Sequence, residues 1–347
     1  MYEIPTILTS QELLDKSFSR ARKVRVKDPD YRFRKQKINM AKMNSASAVI
    51  DQTLQKYVKA FPSFDNISPF YVALIDLMFP INDIRRALGR IDGARKAVTR
   101  ISSKTCKQIQ RTGKPDYMEK KLNEGYGRVS SLVKDLDEDL SFLADVREGL
   151  KRLPGIPTSY PTAVIAGYPS VGKSQLIEKI STARPKIATY PFTTQQLNYG
   201  FFERHRNRYQ LVDTPGLLDR PFDERNRVEK QAILALNLLS NVCVFMVDPT
   251  GHCGYDLEPQ LLLLESISES IPDMNIIVAV NKSDLIKDRE EYHSLDEYLD
   301  NLGERLIAEV MISALTGEGL EELEDLLVES LRVELPAPWD GENGRKI

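Results

Sequence analysis

Eight consecutive residues, Gly167-Tyr168-Pro169-Ser170-Val171-Gly172-Lys173-Ser174, have the composition and spacing of a loop that cradles phosphate. The two glycines let the backbone curl until successive N–H groups point inward at an anion. A short apolar run, Thr162 to Ala166, precedes the loop, and a helix-like segment starts near Ser174. That strand–loop–helix setting is the one the motif requires, and the helix N-terminus adds its own attraction for negative charge. Lys173 is then placed to reach the β- and γ-phosphates of a nucleoside triphosphate, and the Ser174 hydroxyl to sit on Mg²⁺.

Four further elements follow in order. Pro191-Phe192-Thr193-Thr194 comes 20 residues after Ser174, in a stretch without regular periodicity. A threonine there could swing in to complete the Mg²⁺ shell and bond the γ-phosphate. Val212-Asp213-Thr214-Pro215-Gly216 ends an apolar strand, so that Asp213 can hold Mg²⁺ through water and the Gly216 N–H can meet the γ-phosphate. Both elements would sense the γ-phosphate and act as switches. Asn281-Lys282-Ser283-Asp284 follows the run Asn275–Val280. The Asp284 carboxylate can accept from N1–H and the exocyclic amine of guanine, whereas adenine has an unprotonated N1 and would leave that carboxylate unpaired. Asn281 braces base and loop, and the Lys282 stem is expected along the purine face. Ser313-Ala314-Leu315, after Val310–Ile312, offers a backbone N–H to the guanine carbonyl. Each signature is weak alone, but five in order at workable spacing identify a GTP/GDP site.

These residues need a scaffold. Strands are expected at Ala163–Ala166, Asn241–Val247 and Asn275–Val280, continuous apolar runs of the kind buried on both faces of a parallel sheet. Helical segments at Arg225–Leu239, Asp256–Ile271, Leu295–Leu306 and Leu320–Leu331 alternate with them. The pattern is that of an α/β, mostly parallel, doubly wound sheet with ligands at the carboxyl ends of its strands.

Residues 1–150 read instead as helical throughout. Ile81, Ile84, Leu88, Ile91, Val98 and Ile101 form one heptad-like seam, and Val129, Leu132, Leu136, Leu140, Leu143 and Leu150 a second. The turn Thr112-Gly113-Lys114-Pro115 between them predicts an all-α bundle with long antiparallel helices. As a single helix, residues 81–111 would run roughly 45 Å and project from so small a unit. The expected domains are a basic helical domain over 1–158, an α/β domain over 159–333 and an irregular tail over 334–347.

Overall composition is 41% hydrophobic and 28% charged, that of a globular protein, and no secretory signal is expected at the N-terminus. Cys106, Cys243 and Cys253 lack metal-ligand spacing and suit reduced, intracellular thiols without disulfides; His252 beside Cys253 lacks further ligands for zinc. The net charge of −2 conceals an asymmetry. Residues 1–150 carry 28 Lys and Arg against 19 Asp and Glu, a net +9, and the remainder 20 against 31, a net −11. Arg20, Arg22, Lys23, Arg25, Lys27, Arg32, Arg34, Lys35, Lys37 and Lys42 crowd together with Tyr31 and Phe33 interleaved. Arg85, Arg86, Arg95, Lys96, Arg100, Lys104, Lys107 and Arg111 lie off the first seam. Such a run is either a solvated helical face or a grip on a nucleic-acid backbone.

The whole set resembles the translation-factor class of GTPases and, within it, the Obg–HflX superfamily. Tyr190-Pro191-Phe192-Thr193-Thr194 and Asp248-Pro249-Thr250-Gly251-His252-Cys253-Gly254-Tyr255 both carry the likeness. A basic helical domain placed ahead of the nucleotide domain makes the chain similar to the nucleolar GTP-binding protein 1 (Nog-type) family, in a compact, archaeal-style form. The resemblance covers nearly all of the chain, with sharp motifs in 162–316 and soft ones in 1–150. It implies a P-loop GTPase domain that hydrolyses GTP with Mg²⁺ and acts in large ribosomal subunit assembly. Its helical domain would bind ribosomal RNA and the large-subunit precursor, in the cytoplasm, or in the nucleolus of a eukaryote. It also makes Thr194, rather than Thr193, the switch ligand, so that Lys173, Thr194 and Gly216 are the expected catalytic set and Ser174, Thr194 and Asp213 the metal set.

Two residues depart from related patterns. Leu217 stands where many small GTPases have a water-orienting Gln, so intrinsic hydrolysis should be slow or assisted from outside the motif. Ser170 stands where potassium-activated relatives have Asn, which weakens a K⁺-assisted route. Arg220, Arg225 and Arg227 read as surface residues more readily than as a charge-stabilising arginine. Leu217 keeps two alternatives in view: a GTP-gated RNA-binding scaffold with negligible hydrolysis, and a G protein acting on mature ribosomes.

Overall fold

The computed structural model describes residues 3–189, 196–213, 218, 227–240, 242–286 and 293–331, and of the side chains in 227–232 only those of 230. The chain divides into two compact units, one of residues 1–67 and 78–151, the other of residues 68–77 and 152–347.

The first unit is a helical bundle: α1 (Ser10–Arg22), α2 (Tyr31–Ala60), α4 (Ile81–Gln110), α5 (Pro115–Lys134) and α6 (Asp137–Lys151). Thr9 opens α1 with a capping box, its hydroxyl accepting from the Glu12 N–H while the Glu12 carboxylate accepts from the Thr9 N–H. Asp30 caps α2, accepting from the N–H groups of Arg32 and Phe33. The predicted first seam lies on α4, where Ile81, Ile84, Ile91 and Val98 are buried, Leu88 and Ile101 are half-buried, and Ile109, outside the predicted seam, extends the buried stripe. It does not project. α2 is equally long and runs antiparallel beside it: Gln36 reaches the Gln110 carbonyl, Asn44 receives the Ser102 hydroxyl, and Asp51 pairs with Arg95. As positions rise along α2, their partners fall along α4. The predicted second seam is split in two, because α5 ends at Lys134 and α6 restarts at Asp137. Both halves lie against α4, and α5 closes on it where Gly125 leaves room for Thr105.

Helix α3 (Pro69–Met78) belongs almost wholly to the second unit. Its Tyr71 hydroxyl sits between the carbonyls of Pro154 and Ile156, 2.7 Å from the latter. The rest of that unit is a seven-stranded sheet in the order β2-β3-β4-β1-β5-β6-β7. In chain order its elements are β1 (Thr162–Ala166), α7 (Lys173–Ile180), β2 (Lys186–Thr189), β3 (Gln196–Arg204), β4 (Asn207–Asp213), α8 (Arg227–Leu236), β5 (Val242–Val247), α9 (Leu257–Ser270), β6 (Asn275–Val280), α10 (Leu295–Leu302), β7 (Leu306–Met311) and α11 (Leu320–Ser330). β1 pairs parallel with β4 and β5, and β5, β6 and β7 continue parallel. β1 and β5 are buried at every position, as their unbroken apolar runs require. The predicted helix Leu295–Leu306 stops at Leu302, and β7 starts at Leu306, ahead of the predicted Val310.

The antiparallel edge, β2 on β3 on β4, was not apparent from the pattern. β3 and β4 form a hairpin whose two loop residues, His205 and Arg206, have φ of +50° and +66°. Such turns favour Asn-Gly, so this one lacks its usual sequence signal. The parallel strands bring their carboxyl ends, Ala166, Asp213, Val247, Val280 and Met311, to one edge of the sheet.

Candidate functional site

The phosphate-binding loop leaves β1 and closes on the N-terminus of α7. Gly167 has φ +130°, and a Cβ there would lie 2.4 Å from the Met246 carbonyl oxygen, so only glycine permits the close approach to β5. Gly172 has φ +109°, and its missing Cβ is replaced by the side-chain amide of Asn281. Val171 is buried beneath the loop. Ser170, with φ +62°, is a non-glycine residue held in the left-handed region. Pro169, Ser170, Gly172, Lys173, Ser174, Gln175 and Asp213 line a cleft of about 470 Å³, within the size range of small-molecule sites.

Lys173 is only 7% exposed, and its ammonium donates to the carbonyls of Gly167 and Tyr168, each at 2.7 Å. A charge pointing into solvent is not what the loop holds: its own carbonyls draw the ammonium inward. The Ser174 hydroxyl donates to the fully buried Asp213 carboxylate at 2.8 Å. A hydroxyl and a carboxylate that converge beside the anion loop are the oxygen donor set a hard divalent cation selects. Thr194, with Thr193, and the stretch Thr214, Pro215 and Gly216, with Leu217, lie outside the described residues.

Behind the phosphate loop, Asn281 is 2% exposed and uses both halves of its amide. Its Nδ2 donates to the Val171 carbonyl at 2.7 Å, and its Oδ1 accepts from the Ala314 N–H at 2.9 Å. One side chain thus ties the phosphate loop to the segment after β7. Asp284 accepts from the buried Ser313 hydroxyl at 2.6 Å and is itself exposed. Ser313 in turn accepts from the Thr316 N–H, which stiffens the turn. Leu315 is 69% exposed, and its carbonyl faces the Lys179 ammonium at 3.4 Å.

Lys282 brings in a residue that the motif reading did not place in the site. It sits at φ +65°, and its ammonium pairs with Asp248 at 2.5 Å. Asp248 directly follows β5 and is fully buried. Its carboxylate also accepts from the Thr250 N–H at 3.0 Å and the Cys253 N–H at 2.7 Å. Gln260 seals its backbone, accepting from the Asp248 N–H at 2.8 Å and donating to its carbonyl at 2.9 Å. Burial alone would raise the Asp248 pKa, but the Lys282 ammonium and the Thr250 donors outweigh it and hold it below the ordinary aspartate value. The sequence signal was the Asp-Pro-Thr-Gly turn at a strand end. Tyr255 of the same segment packs on Tyr168 of the phosphate loop, ring centroids 4.7 Å apart. His252 instead faces Thr250, and among the described residues no cluster of three His, Cys, Asp or Glu could hold a metal. Cys106, Cys243 and Cys253 are buried and unpaired; burial pushes the Cys243 thiol up to about 12.

A mostly parallel sheet with a glycine-hinged anion loop after its first strand, an Asn-Lys-x-Asp turn after β6 and a Ser-Ala-Leu turn after β7 defines a P-loop GTPase domain that binds GTP or GDP. Residues 2–157 match the profile of the NOG1 N-terminal helical domain, and residues 162–282 match that of a 50S ribosome-binding GTPase. An uncharacterized protein of Methanocaldococcus jannaschii is 36% identical over 288 residues, which are 82% of this chain and 81% of that one. Nucleolar GTP-binding protein 1 of Kluyveromyces lactis is 30% identical over 316 residues, 90% of this chain and 49% of that one. A crystal structure of putative nucleolar GTP-binding protein 1 from Plasmodium falciparum shares 32% identity over 52% of this chain and 90% of that one, with a TM-score of 0.46. The chain belongs to the nucleolar GTP-binding protein 1 family. It spans about half the length of the curated relatives that carry that name. Among the described residues no helix is long and apolar enough to cross a membrane.

Proposed function

We propose that the protein hydrolyses GTP to GDP and uses the change of state to act in assembly of the large ribosomal subunit, its helical unit bound to ribosomal RNA. The observation that carries the catalytic half is the Asn281 amide, which ties the phosphate loop to the turn after β7 that is expected to meet the base. Ser174, Asp213 and, by family resemblance, Thr194 would hold Mg²⁺. When bound, that ion neutralises charge developing on the β- and γ-phosphates. Lys173 exchanges the Gly167 and Tyr168 carbonyls for phosphate oxygens, and Asp284 reads N1–H and the exocyclic amine of guanine. The Gly216 N–H meets the γ-phosphate, placing Gly216 with Lys173 and Thr194 in the catalytic set. Leu217 cannot orient water, so turnover is slow until a partner assists it; Ser170 weakens a potassium-assisted route while leaving it open.

Support for the ribosomal half comes from the net +9 of residues 1–150 and from the names of the relatives and matched profiles. The Obg–HflX kinship and a cytoplasmic site of action (nucleolar in a eukaryote) belong to the same proposal. Multiple-turnover hydrolysis, with and without large-subunit precursor particles and at high and low potassium, tests it. Stimulation by precursor is expected. Guanine-specific binding with no turnover under any of these conditions would favour the second reading, a GTP-gated RNA scaffold, for which Leu217 is the specific motive. Co-sedimentation with mature particles in preference to precursors would point to a G protein of the finished ribosome.

A further inference from the structure

The basic side chains of the helical unit are not equivalent. On the first half of α4 the exposed cations are already answered: Arg85 pairs with Asp65, Arg86 with Asp83, Arg90 with Asp139, Arg95 with Asp51 and Asp92, and Lys96 with Asp92. On the last half, Arg100, Lys104, Lys107 and Arg111 are all exposed, have no carboxylate partner among the described residues, and border one open groove. The same helix thus carries a neutralised face and a bare one, and only the bare one can attract a polyanion over distance.

Basic residues continue across the end of the bundle, where Lys37 is answered by Asp28 and Lys35 by Glu119, while Arg32 and Arg34 have no ion pair among the described residues. Gln36 of α2 donates to the Gln110 carbonyl at 2.9 Å, and the Arg32 guanidinium occupies the space where Gly113 lacks a Cβ. Lys35 reaches Glu119 of α5 at 3.5 Å. The start of α2, the end of α4 and the start of α5 therefore meet, and the basic linker Lys23–Lys27 leads into them. Three aromatic rings stand at this end in the open: Tyr31 is 57% exposed, Phe33 53% and Tyr117 44%. Cations lie over two of them, Arg34 at 5.8 Å from the Tyr31 centroid and Lys121 at 5.2 Å from that of Tyr117. Bare cations on a groove with exposed rings beside them is the chemistry of a strand whose bases are unstacked: phosphates meet Lys and Arg while bases lie on the rings. A duplex hides its base faces and has no use for the rings.

We infer that the end of the bundle formed by Tyr31–Lys37, Arg100–Arg111 and Tyr117 binds unpaired RNA, reading the strand by backbone charge and base stacking. This rests on the RNA-binding reading above and sharpens it to one surface and one form of RNA.

The test uses the full chain and a labelled RNA of about 20 nucleotides, as a single strand and as the blunt duplex with its complement, titrated over a range of salt. The single strand is expected to bind at least about tenfold more tightly than the duplex. Tyr31→Ala with Phe33→Ala should weaken the strand by at least about thirtyfold and leave the duplex unchanged. Lys104→Gln with Lys107→Gln should weaken both and lower the slope of log K against log salt by about one and a half to two. Arg85→Gln with Arg86→Gln should alter neither. All six side chains are exposed or neutralised at the surface, and an unchanged thermal midpoint confirms that each variant folds. Equal binding of strand and duplex, indifference to loss of the rings, or losses that map to Arg85 and Arg86 would overturn the inference while leaving RNA binding in place. No RNA binding, or tighter binding to phosphatidylserine vesicles than to RNA, would overturn both.

Discussion

The two units handle polar chemistry in opposite ways. In the helical unit the charges that could meet a ligand face water, and each is one of many. In the sheet unit part of the working set is enclosed: Asp213 and Asp248 are fully buried and Asn281 nearly so, each held by partners distant in the chain, while Ser174 and Asp284 reach the surface. A surface grip is distributed and tolerates single losses, whereas an enclosed network fails at one atom, because its former partners are stranded away from water. Substitutions that respect this division sharpen the contrast, and exceptions to it break it.

The largest effect is expected at Asp248. Asp248→Ala leaves the Lys282 ammonium and two backbone N–H groups without their acceptor, and loss of one member of a buried pair costs about 4 kcal/mol. Because the Asp248 pKa is held below 3.8 in the folded state, the wild-type advantage is present above the unfolded value and disappears as pH falls through the folded one. Denaturant unfolding should show a constant gap between wild type and variant from neutrality down to about pH 5, closing only below the ordinary aspartate range.

Asn281→Ala should come next, at about 3 kcal/mol, since it orphans both the Val171 carbonyl and the Ala314 N–H. Calorimetric titration with GDP should register the loss as weakened affinity even where the fold survives. Asp284→Asn acts on an exposed side chain, so its stability cost is small while guanine affinity falls about a hundredfold. Xanthine nucleotides should gain, because an amide can donate to the 2-oxo group, and unchanged GDP affinity would remove Asp284 from the base site.

In the helical unit a comparable loss requires a packing change. A Cβ on Gly125 would lie 2.8 Å from the Thr105 hydroxyl and 3.3 Å from the Met43 sulfur, so Gly125→Val should cost about 2 kcal/mol without altering nucleotide affinity. Smallest of all, Lys104→Gln with Lys107→Gln should shift the stability of the fold by less than about 0.5 kcal/mol. A larger loss there would mean that these charges hold the bundle together.

How much of this the sequence displayed depends on whether a feature is local. The anion loop, the doubly buried strands and the first helical seam announce themselves through neighbouring residues. α2 did not, because the side chains it buries against the bundle include Asn39, Ser47 and Ala46 alongside Met43 and Ile50, so no clean apolar stripe marks it. Its equal length is why α4 is covered instead of projecting. The grouping of α3 with the sheet rests on Tyr71 meeting Ile156, 85 positions away, and the β3–β4 turn uses His205-Arg206 where glycine would have given a sign. In the site, the residues expected to meet a nucleotide stood out as local motifs, while Asp248, which pairs with Lys282, was visible only as part of a family resemblance.

The amide of Asn281 fills the space that a side chain at Gly172 would need, 2.2 Å from where its Cβ would stand. These two positions, 109 residues apart in the chain, are therefore not free to drift separately. A lineage that gained a side chain at 172 would have to displace the Asn281 amide as well as bear the φ of +109°, whereas one that shortened Asn281 would still be held to glycine by that backbone angle. Among descendants of a common ancestor Gly172 should therefore change only where Asn281 has changed too.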